Sequence, residues 1–436
     1  MKQRLLLLTT VAFIALSTIS TTGCQRETYA DENTVKLCFS ADTVSFDTVF
    51  TTLGTATRQV RVYNRSGKDV NLSSVTLAKG YQSRFRLNVD GDTSLVARHI
   101  VIQDGDSIFI FIQACINPNG GTSAVIEEDD IVFSNGQRLH LTAWGRDAYY
   151  HKRGPNDTTW YYPIDCNTWN TSQHDKPHII IGTAAVLEGN TLSLIAGDEL
   201  YFAPDAMLII DSAASIKVHG SVSQPVLFSS LRRHEQWYAS LPGQWQMMWF
   251  YNGSTGNIID HAVIENGTDG IRAYPDAQVN VSNTIIRNMS DAAIVGQNAT
   301  IDVNNMLVYD CYTSLALIGG GSYSFDYCTL ADYWTYRGKT RDTASVIISN
   351  YYPLSSSEFY GSDMRQANFS HSIIYGSFSH EVSINLMPGL AMNYHFDNSC
   401  LVRGGDWDED PRFEDVTNDD YRLQNGSPAI GIGYKF

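Results

Sequence analysis

The sequence predicts an all-β protein in two parts, a β-sandwich followed by a parallel β-helix. Three observations carry this. Residues 36–148 read as short alternating strands broken by turns. From Ile258 a motif then recurs every 22 residues, with starts at Ile258, Asn280, Asp302 and Ser324. Its units are short β-branched runs interrupted by Asn, Asp and Gly, where a helical repeat would use about 34 residues and a 3.6-residue period.

In chain order, the first element is a leader. Met1 to Arg4 is basic, Leu5 to Leu16 is almost unbroken in apolar residues, and small residues lead to Gly23. That is a basic n-region, an h-region too short to span a bilayer and a small-residue cleavage site. The stretch "STTGCQRETYADEN" resembles the end of a bacterial lipoprotein signal, although Thr21 stands where that pattern prefers Leu. The resemblance implies a signal peptide over 1–23, a lipidated Cys24 at the mature N-terminus and a polar tether over 24–35. It also implies an outer-membrane or cell-surface location, with the membrane as a partner. Two or three acyl chains, at about 0.8 kcal/mol per buried CH₂, make such an anchor durable. A conventional secretory peptide with Cys24 incidental is the other reading, and under either the chain leaves the cytoplasm.

Without the leader roughly 410 residues remain, more than one core usually serves, so two domains are expected. Charged residues are 17% of the chain and the net charge is -16, with 24 Tyr and 8 Trp. An acidic chain of this kind lacks the basic face that phosphate binding needs, which argues against nucleic acid. Cys38, Cys115, Cys166, Cys311, Cys328 and Cys400 are widely spaced with no CxxC pair, so zinc and a disulfide framework are both disfavoured.

Within 36–148, "RQVRVYN" sets Val60 and Val62 on one face and "SRFRLNV" does the same with Phe85, Leu87 and Val89. Asn135-Gly136 is a hairpin signal. Six or seven such strands fit a sandwich. The stretch "VSFDTVFTTLGTATRQVRVYNRSGKDVNLSSVTL" resembles the Hydin-like immunoglobulin domains of bacterial surface proteins, which implies a spacer or docking module and no chemistry. Residues 149–178 lose the alternation and read as a linker.

The β-helix is expected over 179–436. Aligning the 22-residue units puts Ile259, Val281, Val303 and Phe325 in the second column and Ile264, Ile286, Val308 and Leu330 in the seventh. The third column holds Asp260, Ser282, Asn304 and Asp326; the ninth holds Asn266, Asn288, Asp310 and Asp332. A coil of this length, at about 3.3 Å per residue, winds once around a triangular section and rises by one strand spacing. The third column is expected at a corner that tolerates left-handed backbone and hydrogen-bonds the next coil. This half, from about 180 to 432, resembles the right-handed, pectate-lyase-like β-helix proteins. The resemblance includes "LPGQWQMMWF" and the tail "EDPRFEDVTNDDYRLQNGSPAIG", similar to their closing cap. It implies a fold that hosts lyases, hydrolases, adhesins and scaffolds alike.

Lyases of this fold generally use carboxylates that hold Ca²⁺ beside an Arg or Lys base. The nearest set here is Glu265, Asp269 and Arg272 with Arg287 one coil on, for which an ion pair is the first reading. The polygalacturonase motif set is absent. "GDWDEDPRFED" offers Asp406, Asp408 and Asp410 in a Ca²⁺-loop-like alternation, but without the sixth-position glycine or twelfth-position glutamate it reads as a solvated turn. No cofactor is otherwise implied. The largest break in the period is an insertion of 22 residues before Ser370. It carries Tyr333, Trp334, Tyr336, Tyr351, Tyr352, Phe359 and Tyr360 with Arg337, Lys339 and Arg341. Such rings suit a sugar or a protein edge, or else fold back on the flank. The sequence therefore favours a cell-envelope lipoprotein presenting a non-catalytic β-helix for glycan or surface-protein contact. The alternative is a polysaccharide lyase acting on acidic glycans.

Overall fold

The computed structural model describes residues 29–436 except 56, 122–123, 236, 337–338 and 356, and no side chains over 335–339. The leader and Cys24 lie outside the described residues. The chain forms two compact units, one ending at Asn119 and taking back Ala124–Arg146, the other comprising Gly120 and Asp147–Phe436.

In the first unit the described residues form two sheets. One runs in the order Cys38–Phe39, Arg58–Tyr63, Ser107–Ala114, Phe85–Val89. The other runs Thr43–Phe50, Arg138–Arg146, Val125–Phe133, Val70–Leu77, Val96–Ile102. Thr43–Phe50 pairs parallel with Arg138–Arg146, whereas the remaining pairs are antiparallel. Alternation decides what is inside: Val60, Val62, Phe85 and Val89 are buried with Leu72, Val75, Leu139 and Leu141 of the other sheet in a shared core. The expected hairpin turns at Gly136, whose φ of 84° suits a residue without Cβ.

The second unit is a parallel β-helix. Its coils each contribute three strand segments, and the pairing between coils is parallel. The seventh column stacks Ile264 on Ile286, Val308, Leu330 and Ile374, all fully buried. The second column stacks Ile259, Val281, Val303 and Phe325 and then continues as rings: Phe325, Phe369 and Phe396 lie at centroid spacings of 4.9 and 4.5 Å. Like environments recur one coil apart, so like residues recur too.

The corner differs from the sequence reading by one position. Third-column residues still pair as strand, and the left-handed backbone falls on the next residue, at His261, Asn283, Asn305 and Tyr327. The third column does bond across coils, Ser282 Oγ donating to Asp260 Oδ1 at 2.7 Å. A second left-handed corner lies in the ninth column at Asn266, Asn288 and Asp310. There Asn288 Nδ2 donates to Asn266 Oδ1 at 2.7 Å, which satisfies a turn amide with its copy in the next coil.

Residues 149–178, expected as a linker, form strands and a helix of the second unit. Tyr149–Lys152 pairs parallel with His178–Ile181 and Tyr162–Pro163 with Thr183–Val186. The helix Cys166–Ser172, capped by Asp165, seats Trp169 in the core. The tail, expected to close the end, lies along an outer flank. Phe413, Tyr421 and Ala429 cover Leu307, Tyr309, Ala331, Ile373 and Tyr375. Lys435 N donates to Asn305 Oδ1 at 2.7 Å and Tyr434 N to Thr329 Oγ1 at 2.9 Å. The outward residues of those strands are apolar because the tail shields them from water.

Candidate functional site

Of the three residues singled out as catalytic alternatives, the fold joins two. Glu265 ends the strand Ala262–Glu265, and Arg287 occupies the same column one coil on. Arg287 Nε and Nη2 both donate to Glu265 Oε2, at 2.9 and 2.6 Å. Arg233 donates to the other oxygen, which also accepts from Ser229 Oγ at 2.7 Å. Burial pushes the Glu265 carboxyl up, but the two guanidiniums outweigh it and hold it below its ordinary value. Arg287 is correspondingly held charged: Glu265 and Tyr309 overcome the opposing effect of burial. Arg272 sits on the third strand face, in Ile271–Ala273, and pairs instead with Asp269 at 2.6 Å.

Above this pair opens a cleft of about 570 Å³ between the repeat coils and segments of the second unit that do not repeat. The loop 231–244 supplies Trp237, whose ring is 74% exposed. Gln244 Nε2 pins that loop, donating to the carbonyls of Tyr238 and Leu241 at 2.7 Å. Below it Trp245, from the "LPGQWQMMWF" stretch, stacks on Phe202 at 4.3 Å and donates its Nε1–H to the Glu265 carbonyl. The ninth-column corner contributes Asn266, Asn288 and Asp310, the insertion contributes Tyr333 and Trp334, and the tail contributes Asp419. Arg287 Nη1 bonds Tyr309 Oη at 2.6 Å and stands 3.9 Å from Asp419 Oδ2.

Two carboxyls therefore line the cleft, Asp310 from the ninth-column corner and Asp419 from the tail. Burial, the charges of Asp419 and Asp332 and a hydrogen bond with Asp419 push Asp310 up to about 7, with Arg287 opposing. At neutral pH Asp310 is therefore partly protonated. Beside the two carboxyls Tyr421 Oη is buried and has no hydrogen-bond partner among the described residues. Both carboxylates push its hydroxyl pKa upward, after burial itself. The ring itself belongs to the flank core with Tyr309 and Phe413.

The aromatic insertion does not form one face. The coil needs its third strand, Val346–Ser349, and that strand divides the insertion into two hairpins. The first, Thr335–Tyr336 with Lys339–Thr340, follows Tyr333 and Trp334 into the cleft wall, where Trp334 is only 8% exposed and meets Tyr312 edge-on. The Tyr336 side chain is outside the description. The second, Tyr351–Pro353 with Phe359–Gly361, stands at another corner. There Tyr352 packs on Tyr360 at 5.2 Å and Tyr351 meets Phe359 edge-on at 5.7 Å. Arg341, expected among the ligand-facing cations, is buried.

Asp406, Asp408 and Asp410 do not gather. Among the described residues no group of three or more His, Cys, Asp or Glu is placed to hold a metal ion. Asp410 Oδ1 instead accepts from the Arg412 amide at 2.8 Å, closing a turn. The six described cysteines are free, four of them buried. No helix among the described residues is long and apolar enough to cross a membrane.

Sequence reasoning missed Trp237, Tyr309, Asp310 and Asp419 as site residues. Asp310 and Asp419 lie 109 positions apart (419 − 310), and no local spacing signals their meeting. The one available signal was a carboxylate replacing asparagine in the ninth column.

No protein-family model matches the sequence, and no curated protein matches it. Among solved structures, the chain is similar to the ASH / PapD-like domain 7 of human CEP192, at 14% identity and TM-score 0.18, over 29% of this chain and 95% of that one. It is also similar to Dex49A from Penicillium minioluteum, at 9% identity and TM-score 0.19, over 87% of this chain and 81% of that one. A third likeness is to the catalytic unit of the thermostable GH87 alpha-1,3-glucanase from Streptomyces thermodiastaticus strain HF3-3, at 10% identity and TM-score 0.20, over 80% of this chain and 89% of that one. At these scores none of the three says what this chain binds.

Proposed function

We propose that this is a cell-envelope lipoprotein whose right-handed β-helix binds glycan in the cleft of Trp237, Arg287, Asp310 and Asp419. One observation supports this above the others. An exposed indole, backed by Tyr333 and Trp334, faces hydrogen-bonding groups that converge from four separate segments. An apolar ring face with polar groups at its edge matches a sugar, whose C–H face stacks while its hydroxyls exchange hydrogen bonds. Trp237→Ala is expected to weaken binding of a cognate oligosaccharide by about 1–3 kcal/mol. Because the ring is mostly in water, the melting temperature stays nearly unchanged. Titration calorimetry against an oligosaccharide panel checks this, and undiminished affinity moves the site elsewhere.

A lyase acting on acidic glycans is less well supported. It needs an arginine or lysine free to act as a base, and Arg287 and Arg272 are each engaged in an ion pair with a carboxylate. The first unit serves in this reading as an immunoglobulin-like spacer, supported by its two sheets around a common core. The anchor is a diacylated Cys24, motivated by the leader. Mass spectrometry of the mature N-terminus is expected to find acylated Cys24; an unmodified cysteine, or cleavage at another bond, refutes the anchor.

A further inference from the structure

We propose that the cleft takes glycans bearing amino sugars and excludes those built of uronic acids, an inference that rests on the glycan reading above. The reason is how the charges around the cleft are already committed. Arg287, the cation in the lining, gives two donors to Glu265 and a third to Tyr309. Arg233 behind it is also on Glu265, and Arg232 of the same loop is on Glu235 at 3.2 Å. Among the described side chains lining the cleft, a uronate finds no cation without a carboxylate partner. It would meet Asp310 and Asp419 at close range in a partly desolvated setting, where like charges repel strongly.

An ammonium group meets the opposite field. Asp419 is 46% exposed at its side chain, so it stands at the mouth, while Asp310 lies deeper at its left-handed corner. The groups that face this pair are Arg287, Tyr309, Asp332 and Tyr421. Neither tyrosine is ionised at neutral pH, since its ordinary value near 10 is raised further by burial. Asp332 is buried behind and adds to the negative field. A glucosamine ammonium placed between Asp310 and Asp419 meets an acceptor on either side. Trp237 provides the ring face on which either an amino or an acetamido sugar stacks, so the rings set affinity for sugar and the carboxyls set preference among sugars.

The test is calorimetry of the full chain with three hexamers, of glucosamine, N-acetylglucosamine and galacturonic acid, at neutral pH and physiological salt. The glucosamine hexamer is expected to bind about tenfold tighter than the acetylated one, and the galacturonate hexamer about tenfold weaker than it. The chain's net charge of -16 attracts any polyamine, so the decisive arm is Asp419→Asn. Asparagine tolerates the left-handed backbone of that position, where φ is 60°. The variant is expected to lose most of the glucosamine advantage while binding the acetylated hexamer within about twofold of the parent. An advantage that survives in Asp419→Asn overturns the proposal in favour of bulk charge. Galacturonate bound as tightly as glucosamine overturns the preference and leaves the glycan site standing. Binding of none of the three overturns the glycan reading and this proposal with it.

Discussion

Acidification from neutral pH to about pH 5 is expected to loosen the N-terminal turn of the β-helix by about 3 kcal/mol, through His151 and His178. His151 Nε2 and His178 Nδ1 are 2.8 Å apart, and His178 Nε2 lies 2.8 Å from the Gln173 carbonyl. The carbonyl requires a proton on His178 Nε2. A neutral His178 therefore accepts at Nδ1, and His151 must donate from Nε2. The remaining nitrogen, His151 Nδ1, is buried with no partner among the described residues. A second proton on either ring has nowhere to bond. Trp169 closes the stack, 3.5 Å from the His178 ring and 4.5 Å from that of His151.

Burial thus lowers His151 to about 4 and, with the neighbouring imidazole adding to it, His178 to about 3. Both folded values lie below the unfolded value of about 6.5, so the unfolded chain binds more protons in acid. The stabilisation is complete above about 6.5 and is lost as pH falls toward 4. Asp310 and Asp332 titrate in the opposite sense, since burial raises them to about 7 and about 6, and acid relieves that cost. The global melting curve sums both effects, so the measurement has to be local. Amide exchange, corrected for its intrinsic pH dependence, is expected to lose about a hundredfold protection over Tyr149–Lys152 and Cys166–Ser172 while the middle coils keep theirs. Equal protection at both pH values in those two segments sinks the idea.

That turn also shows where the sequence stops being readable. In the middle coils each residue sits on a near copy of itself, so one environment is sampled repeatedly and its column stands out. Ile264, Ile286, Val308 and Leu330 are legible for that reason. The first turn has no copy: its strands are four and two residues long, a helix interrupts them, and its core is Trp169 with two histidines. The corner was misplaced by one residue because polar character marks both the last strand residue and the turn residue that follows it. The cleft is harder still. Loop 231–244, the segment after Asp332 and the tail at Asp419 each depart from the repeat, and only the folded coil brings them together. The aromatic run of the insertion looked like one surface, yet a strand inside it sends its two ends to different corners.

Arg341→Met is expected to cost about 3–5 kcal/mol, the largest single loss among the substitutions considered. Both side chains of the Arg341–Glu381 pair are fully buried, with Nη2 2.5 Å from Oε2 and Nη1 3.1 Å from Oε1. The guanidinium also donates to the carbonyls of Tyr312 and Thr343 at 3.0 Å and to that of Asp332. Glu381 is held in turn by the amides of Ser345 and Phe378, both at 2.9 Å. Removing the cation leaves a carboxylate in the interior with its other partners fixed around it, and Asp332 close by loses the charge that opposes its own burial. Arg341→Lys recovers little, because an ammonium cannot span the two carboxylate oxygens and three carbonyls of a planar fork. Glu381→Gln added to Arg341→Met is expected to return part of the loss by removing the stranded charge. Urea unfolding of the three variants measures this, and a drop below about 1 kcal/mol for Arg341→Met contradicts the buried pair. The same side chain bears on the cleft. Residues 333–340 leave the coil at Asp332 and return at Arg341, so its bonds to the Asp332 and Tyr312 carbonyls fasten both ends of the segment that presents Tyr333 and Trp334. Glycan affinity in Arg341→Met should therefore fall together with stability, whereas Trp237→Ala lowers affinity alone.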